Sequence, residues 1–286
     1  MHGATRMTKY KFLPVTTEYW KPGQNYLRII VRSIDGKVAD NDLIVVSDKA
    51  ISTALNSIVD ESRVKPGFSA RFIAAFWMRT VWGYFLGPVC RLRTNLLKRL
   101  REYPLEKGSR HKQVALRQAG LLQALMFGSE GGIDGSNLPY AYVSISLKNA
   151  GWIALMIRRQ IQLDLGKRVS VMIADTDKTY SFNSFHFTPR PGPIRGIHSF
   201  GGFLSYVSGR FFKLEKRSTP LAVSGNRLSM DEALHIAELA NRSRGFGAGR
   251  TVWEMADNFQ VGLTDVTWQM LERVKHKPIV IVRRKQ

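Results

Sequence analysis

Three short apolar runs do most to limit what this chain can fold into: Leu43-Ile44-Val45-Val46, Val169-Ser170-Val171-Met172-Ile173 and Pro278-Ile279-Val280-Ile281-Val282. A half-wet strand alternates polar and apolar residues, whereas a strand covered on both faces reads as a continuous apolar run. Each run is therefore expected to be a short buried strand. Between them lie stretches of helical periodicity. Leu27–Ile34 sets Arg28 and Arg32 at helical spacing, Gln113–Phe127 follows the same period, and Ala150–Leu165 is amphipathic with Gly166 placed to cap it. Met230–Ser243 has Ser229 as N-cap and Glu232 three residues later, the pattern of a capping box. Tyr10–Val15 reads as a first short strand leading to a turn at Lys21-Pro22-Gly23. Buried strands alternating with helices predict a mixed α/β (α+β) core, and 286 residues suffice to bury it.

Charge limits the partners. There are 43 Lys and Arg against 22 Asp and Glu, a net charge of +21. Residues 91–117 hold nine basic and two acidic side chains, and 273–286 hold six basic and no acidic ones. Such a field draws polyanions: nucleotides, nucleic acid, an acidic coenzyme or an anionic membrane. No recognised stacking or groove-reading motif accompanies it, which disfavours specific nucleic-acid binding. A single cysteine, Cys90, excludes an internal disulfide and a cysteine-cage metal site, in keeping with a reducing, cytoplasmic setting. Residues 1–11 lack the apolar core of a signal peptide, and either Met1 or Met7 can be the start. The aromatic stretch Phe68–Leu92 is broken by Arg71 and Arg79. Its longest uncharged run, Thr80–Cys90, is about half the ~20 residues of a membrane span. A helix packed on protein or at the interface of a homodimer is expected there, with membrane-surface association as the alternative.

Two loops concentrate chemistry. Gly132-Ile-Asp-Gly-Ser-Asn137 offers a carboxylate, a hydroxyl and an amide among glycines that let a phosphate or metal approach the backbone. Val171-Met-Ile-Ala-Asp-Thr-Asp177 sets carboxylates at the carboxyl end of a strand, where α/β proteins collect their ligands. Brought together, Asp134 and Asp175 would supply hard oxygen ligands for Mg²⁺ or Mn²⁺, with nucleotide phosphates completing the sphere. The competing reading has both carboxylates only capping backbone amides. Gly245-Phe-Gly-Ala-Gly-Arg250 lacks the lysine and hydroxyl of a phosphate-binding P-loop and reads as a flexible joint. His186 and His198 flank the Pro/Gly-rich stretch 188–202, where structural roles are expected.

The same loops resemble those of the coenzyme F420-0:γ-glutamyl ligases. That family carries G-[IV]-D-x-S-N, a helix, then G-K-x-V-x-V-I-I-T-D-T; this chain has G-I-D-G-S-N and, after its helix, L-G-K-R-V-S-V-M-I-A-D-T. Asp42-Leu-Ile-Val-Val-Ser-Asp-Lys-Ala-Ile-Ser52 is similar to the family's D-[IV]-L-V-V-x-x-K-[IV]-V-S. Pro14-Val15, Lys21-Pro-Gly23, His235–Asn241 and Pro278–Arg283 fit its first turn, last helix and last strand. The resemblance implies one γ-glutamyl-ligase-like domain over 1–286; the aromatic segment 68–92 has no counterpart in that family, so a helical insertion is expected at 62–112, along with the Pro/Gly-rich loop 188–202. It also implies an enzyme of F420 biosynthesis that uses GTP and a divalent metal to join L-glutamate to an anionic, F420-like carboxylate through an acyl phosphate. Carried over, Asp134, Asp175 and Thr176 are metal ligands, while Thr16, Thr17, Asp48, Lys49 and Asn137 contact the nucleotide. Departures stand at Thr53 and Leu55, where the family has lysine and glutamate, and at Leu234 and His235 in the late helix. After Asp-Thr, Asp177-Lys-Thr-Tyr-Ser-Phe and a Pro-Arg-Pro-Gly loop replace the family's basic glycine-rich segment. These leave open a paralogue that binds an anionic nucleotide or coenzyme without ligase chemistry.

Overall fold

The computed structural model describes residues 10–285. Nine strands are present among them: β1 (Tyr10–Thr17), β2 (Leu43–Ser47), β3 (Ile58–Asp60), β4 (Tyr142–Ser144), β5 (Ser170–Phe182), β6 (Phe185–Thr188), β7 (Ile197–Ser199), β8 (Glu215–Ser224) and β9 (His276–Arg284). Seven form the main mixed sheet in the order β1-β9-β2-β5-β6-β7, with β8 paired to the other edge of β5. β2 runs parallel to β5, while β9 is antiparallel to both β1 and β2. β3 and β4 make a separate antiparallel pair.

The three apolar runs are β2, the first part of β5, and β9, and both their faces are covered. Ile44, Val46, Val171, Ile173, Ile279 and Ile281 pack beneath the helices Tyr26–Ile34 and Ala150–Leu165. The alternate residues Leu43, Val45, Met172, Ala174, Val280 and Val282 pack beneath the helix Met230–Arg244. Each fully buried Ile or Val contributes about 1.5–3 kcal/mol relative to exposure, so these central strands anchor the fold. The helix ends form as expected. Gly166 closes its helix at φ 66°, and the Ser229 hydroxyl accepts from the Glu232 amide. The Glu232 carboxylate does not complete a capping box; it accepts from the Tyr10 hydroxyl on β1 instead.

Two expectations change at element ends. The helical pattern Gln113–Phe127 is split into Leu105–Gln118 and Leu121–Ala124 because Gly120 takes φ 94° between them. The strand expected at 169–173 does not end in the acidic segment 174–177. It continues to Phe182, with register irregularities around Asp175–Lys178 against β8. Between β3 and β4 the chain builds a second, helical core. Residues 68–89 are helical throughout, with 73–86 wound in the wide i→i+5 form. One face buries Ile73, Ala74, Met78 and Trp82. The other exposes Phe68, Phe72, Phe76, Tyr84 and Phe85. Among the described residues, no helix is long and apolar enough to cross a membrane.

Candidate active site

A gap along one edge of β5 positions the site. β8 covers one edge from Val171 to Ser181. The opposite edge is shared by β2, which pairs with Ser170–Ala174, and β6, which pairs with Tyr180–Phe182. β2 and β6 run toward each other, so their carboxyl ends face across the stretch 175–179, where β5 lacks a strand partner on that side. Converging strand ends leave room for side chains that cannot enter a continuous sheet. Asp48 and Lys49 follow β2, Asp175 and Asp177 sit on β5, and Arg190 follows β6.

Arg190 is the centre of this arrangement. Its side chain is 1% exposed, ion-pairs with Asp175, and donates from Nη2 to Asp48 Oδ2 at 2.5 Å. Burial raises the Asp48 carboxyl to about 6, with Asp175 pushing the same way and Arg190 opposing. Burial also lifts Asp177 well above the usual carboxylate range, again with Asp175 adding to the shift. Asp177 accepts from the Ser129 hydroxyl at Oδ1, while its buried Oδ2 has no hydrogen-bond partner. Three carboxyl groups thus crowd one guanidinium, and burial with mutual repulsion favours protons on Asp48 and Asp177.

The other acidic loop meets this cluster through Lys49. Lys49 ion-pairs with Asp134 and donates to the Ser136 carbonyl at 2.9 Å and hydroxyl at 2.8 Å. Asp134 is fixed by an antiparallel bridge to Ser144 on β4, and its carboxylate also caps the Ser136 amide at 2.7 Å. Asp175 likewise accepts from the Thr176 amide at 2.6 Å. Amide capping and clustering therefore coexist. Lys49, Asp134, Ser136, Thr176 and Asp177 line a cavity of about 540 Å³; Asp48 and Asp175 stand behind it on Arg190.

The remaining walls combine rings and cations. Tyr19 and Trp20 border the cavity, and Tyr19 stacks on His276 with ring centroids 4.3 Å apart. Burial depresses His276 to about 4, so it is neutral at physiological pH. Lys107, Lys178, Arg244, Arg250, Lys275 and Lys277 also line the cavity, a basic border suited to a polyanion. On the helical side, His111 bonds Glu61 at 2.6 Å and Glu130 at 2.9 Å, and fully buried Lys112 ion-pairs with Glu130. Burial opposes charge on His111, but the two carboxylates outweigh it and raise the imidazole to about 10.

The residues expected to touch nucleotide take different positions. Asp48 is buried on Arg190, while Lys49 and Asn137 line the cavity. The Asn137 side chain is occupied by the 245–250 loop: it accepts from the Ala248 amide at 2.7 Å and donates to the Gly249 carbonyl at 2.9 Å. That loop is consequently held against the site and is not a free joint. Thr17 serves locally, accepting from the Trp20 indole at 3.0 Å, and Thr16 is exposed at the end of β1. His186 bonds Ser181 and His198 stacks on Phe185, both structural roles. Arg190 is the residue that pattern reading passed over. Its one sequence signal is a lone arginine inside the Pro-Arg-Pro-Gly loop.

The description F420-0:gamma-glutamyl ligase belongs to the family model that matches residues 14–283, nearly the whole chain. The chain belongs to that family. It is also 34% identical over 285 residues to the Methanocaldococcus jannaschii protein named "Uncharacterized protein MJ1361", covering 96% of each chain. Membership of this ligase family accords with the mixed α/β fold and the γ-glutamyl-ligase-like reading of the two acidic loops.

The donor set suits a divalent cation. Asp134, Thr176 and Asp177 present hard oxygens to the cavity, and Asp177 Oδ2 is a buried acceptor with no partner. Among the described residues, no three His, Cys, Asp or Glu side chains already converge on one point as ligands. Additional oxygens would have to come from phosphate and water, the usual manner of Mg²⁺.

Proposed function

We propose that this F420-0:gamma-glutamyl ligase family member joins the amine of L-glutamate to the carboxylate of an anionic, F420-like acceptor, with GTP as phosphoryl donor. An acceptor carboxylate oxygen attacks the γ-phosphorus of GTP and the bond to the β-bridging oxygen breaks, giving an acyl phosphate and GDP. The glutamate amine then attacks the acyl carbon, phosphate leaves with the bonding pair, and the amine's proton passes to the departing phosphate. Lys49, held by Asp134 and Ser136, would neutralise charge on the transferring phosphoryl group. Asp134 and Asp177, with the Thr176 hydroxyl, would hold Mg²⁺ or Mn²⁺. Bound there, the ion would draw electron density from the phosphoryl oxygens.

The observation that carries this reading is one cavity with both requirements: carboxylates and Lys49 at its floor, and six further cations among its lining residues. Thermal shift with GTP or ATP, with and without Mn²⁺, followed by mass spectrometry of products formed from L-glutamate and an F420-like acceptor, tests it. GTP with Mn²⁺ should raise the melting temperature by several degrees, since a ligand at about 100 times its Kd stabilises by ~2.7 kcal/mol. Product should gain the mass of one glutamate residue. Protection without product would favour a binding paralogue, a reading supported by the commitment of two of the site's carboxylates to Arg190. No protection by any nucleotide would refute both.

A further inference from the structure

The loop around Arg190 is shaped to it. Nη1 donates to the Ser146 hydroxyl at 3.1 Å and the Pro191 carbonyl at 3.3 Å, and that hydroxyl donates onward to the Gly131 carbonyl at 2.5 Å. Gly132 sits at φ +91°, and a Cβ there would stand 2.6 Å from Nη1 and 2.8 Å from Cζ. Glycine is thus required where the acidic loop crosses the guanidinium, for both backbone and space. A Cβ on Gly131 would in turn stand 3.2 Å from Pro191 Cδ. The two loops are keyed together, with Arg190 as the key.

We propose that Arg190 is a resident cation that occupies the carboxylates of Asp48 and Asp175 and so keeps them from a divalent ion, leaving the cavity side as the only place where metal can enter, with the phosphate that carries it. The inference rests on reading this cluster as the ligase family's cation site. A guanidinium is always charged, is planar, and bonds two carboxylates at once without the dehydration a small divalent ion resists. Being covalently tethered, it is also present at an effective concentration that no cellular metal reaches. To displace it, a metal would have to move a side chain sealed from water and leave that charge unpaired, which is strongly unfavourable. Arg190 pairs with two of the three carboxylates. Asp177, which lines the cavity and has a buried, unpartnered Oδ2, is the one it leaves unpaired.

Titration of Mn²⁺ into nucleotide-free protein, followed by electron paramagnetic resonance of the free ion, tests this. Arg190→Gln should bind Mn²⁺ at least tenfold more tightly than the parent, and adding Asp175→Asn should remove the gain. Should Arg190→Gln not yield folded protein, Arg190→Lys, which keeps charge but not the two-carboxylate fork, should show a smaller gain. The parent and the single Asp175→Asn variant should bind the ion equally weakly. Micromolar Mn²⁺ binding by the parent that Asp175→Asn abolishes would overturn the proposal, as would equal affinity in the parent and the Arg190 variants. Because no nucleotide or acceptor is present, these outcomes separate from failure of the ligase reading, which shows as absent GTP protection.

Discussion

Replacing Asp48 with asparagine isolates the cost of crowding carboxylates behind the site. Asp48 is 5% exposed and its carboxyl is raised from 3.8 to about 6 by burial, with Asp175 as the second cause. The sign follows from linkage: an acid raised on folding carries no penalty below the unfolded value of 3.8. The penalty grows as pH rises through about 6 and is constant above. A rise of about two units corresponds to about 3 kcal/mol lost between pH ~4 and ~7 at most, at ~1.4 kcal/mol per unit. For a chain of this size that is about 6–12 °C of melting temperature, at ~2–4 °C per kcal/mol. The oxygen of the new side-chain amide still accepts from Arg190, but its buried NH₂ adds donors that cost about 1–3 kcal/mol if unmet. The absolute melting temperature is therefore a poor readout and its pH slope a good one. Melting curves from pH 4.5 to 8.5 should show the parent falling relative to Asp48→Asn by several degrees as pH rises, with the gap levelling off above pH ~7. Parallel curves, or a gap that opens with the opposite sign, would refute the account of the charge balance.

Two further outcomes follow from the same geometry. Gly132→Ala should cost about 2–4 kcal/mol, because it combines a left-handed backbone position with a Cβ at 2.6 Å from Arg190, and chemical denaturation measures it. A loss under 1 kcal/mol would show that the two loops are not tightly keyed. His111→Ala should destabilise the protein at pH 7 and, by about 1 kcal/mol less, at pH 8: the imidazole's contribution is complete below its unfolded value of 6.5 and is lost progressively from there as pH rises through about 10. Equal stability of His111→Ala and parent at pH 7 would mean the Glu61–His111–Glu130 contacts carry no charge.

Local pattern by itself determined the central strands, several helices and the Gly132–Asn137 loop, while Asp175–Asp177, expected beyond a strand end, lie within β5. A buried strand must be apolar along its length, as Leu43–Val46 and Ile279–Val282 are. A helix end needs a residue such as Ser229 or Gly166 whatever the rest of the chain does. The order of Asp48-Lys49, Gly132–Asn137 and Asp175-Thr176 likewise carried the family likeness, since each of those motifs is contiguous in the chain. What the tertiary structure decided is which charges meet. Arg190 lies 142 residues from Asp48, and no periodicity links them. They meet because β2 and β6 approach from opposite directions along one edge of β5, a matter of sheet topology. The same holds for Asn137, whose amide is taken up by a glycine loop 111 residues further on. A carboxylate's neighbours in space set its charge and its freedom to bind a ligand, and those neighbours are chosen by strand order, not by the residues beside it in the chain.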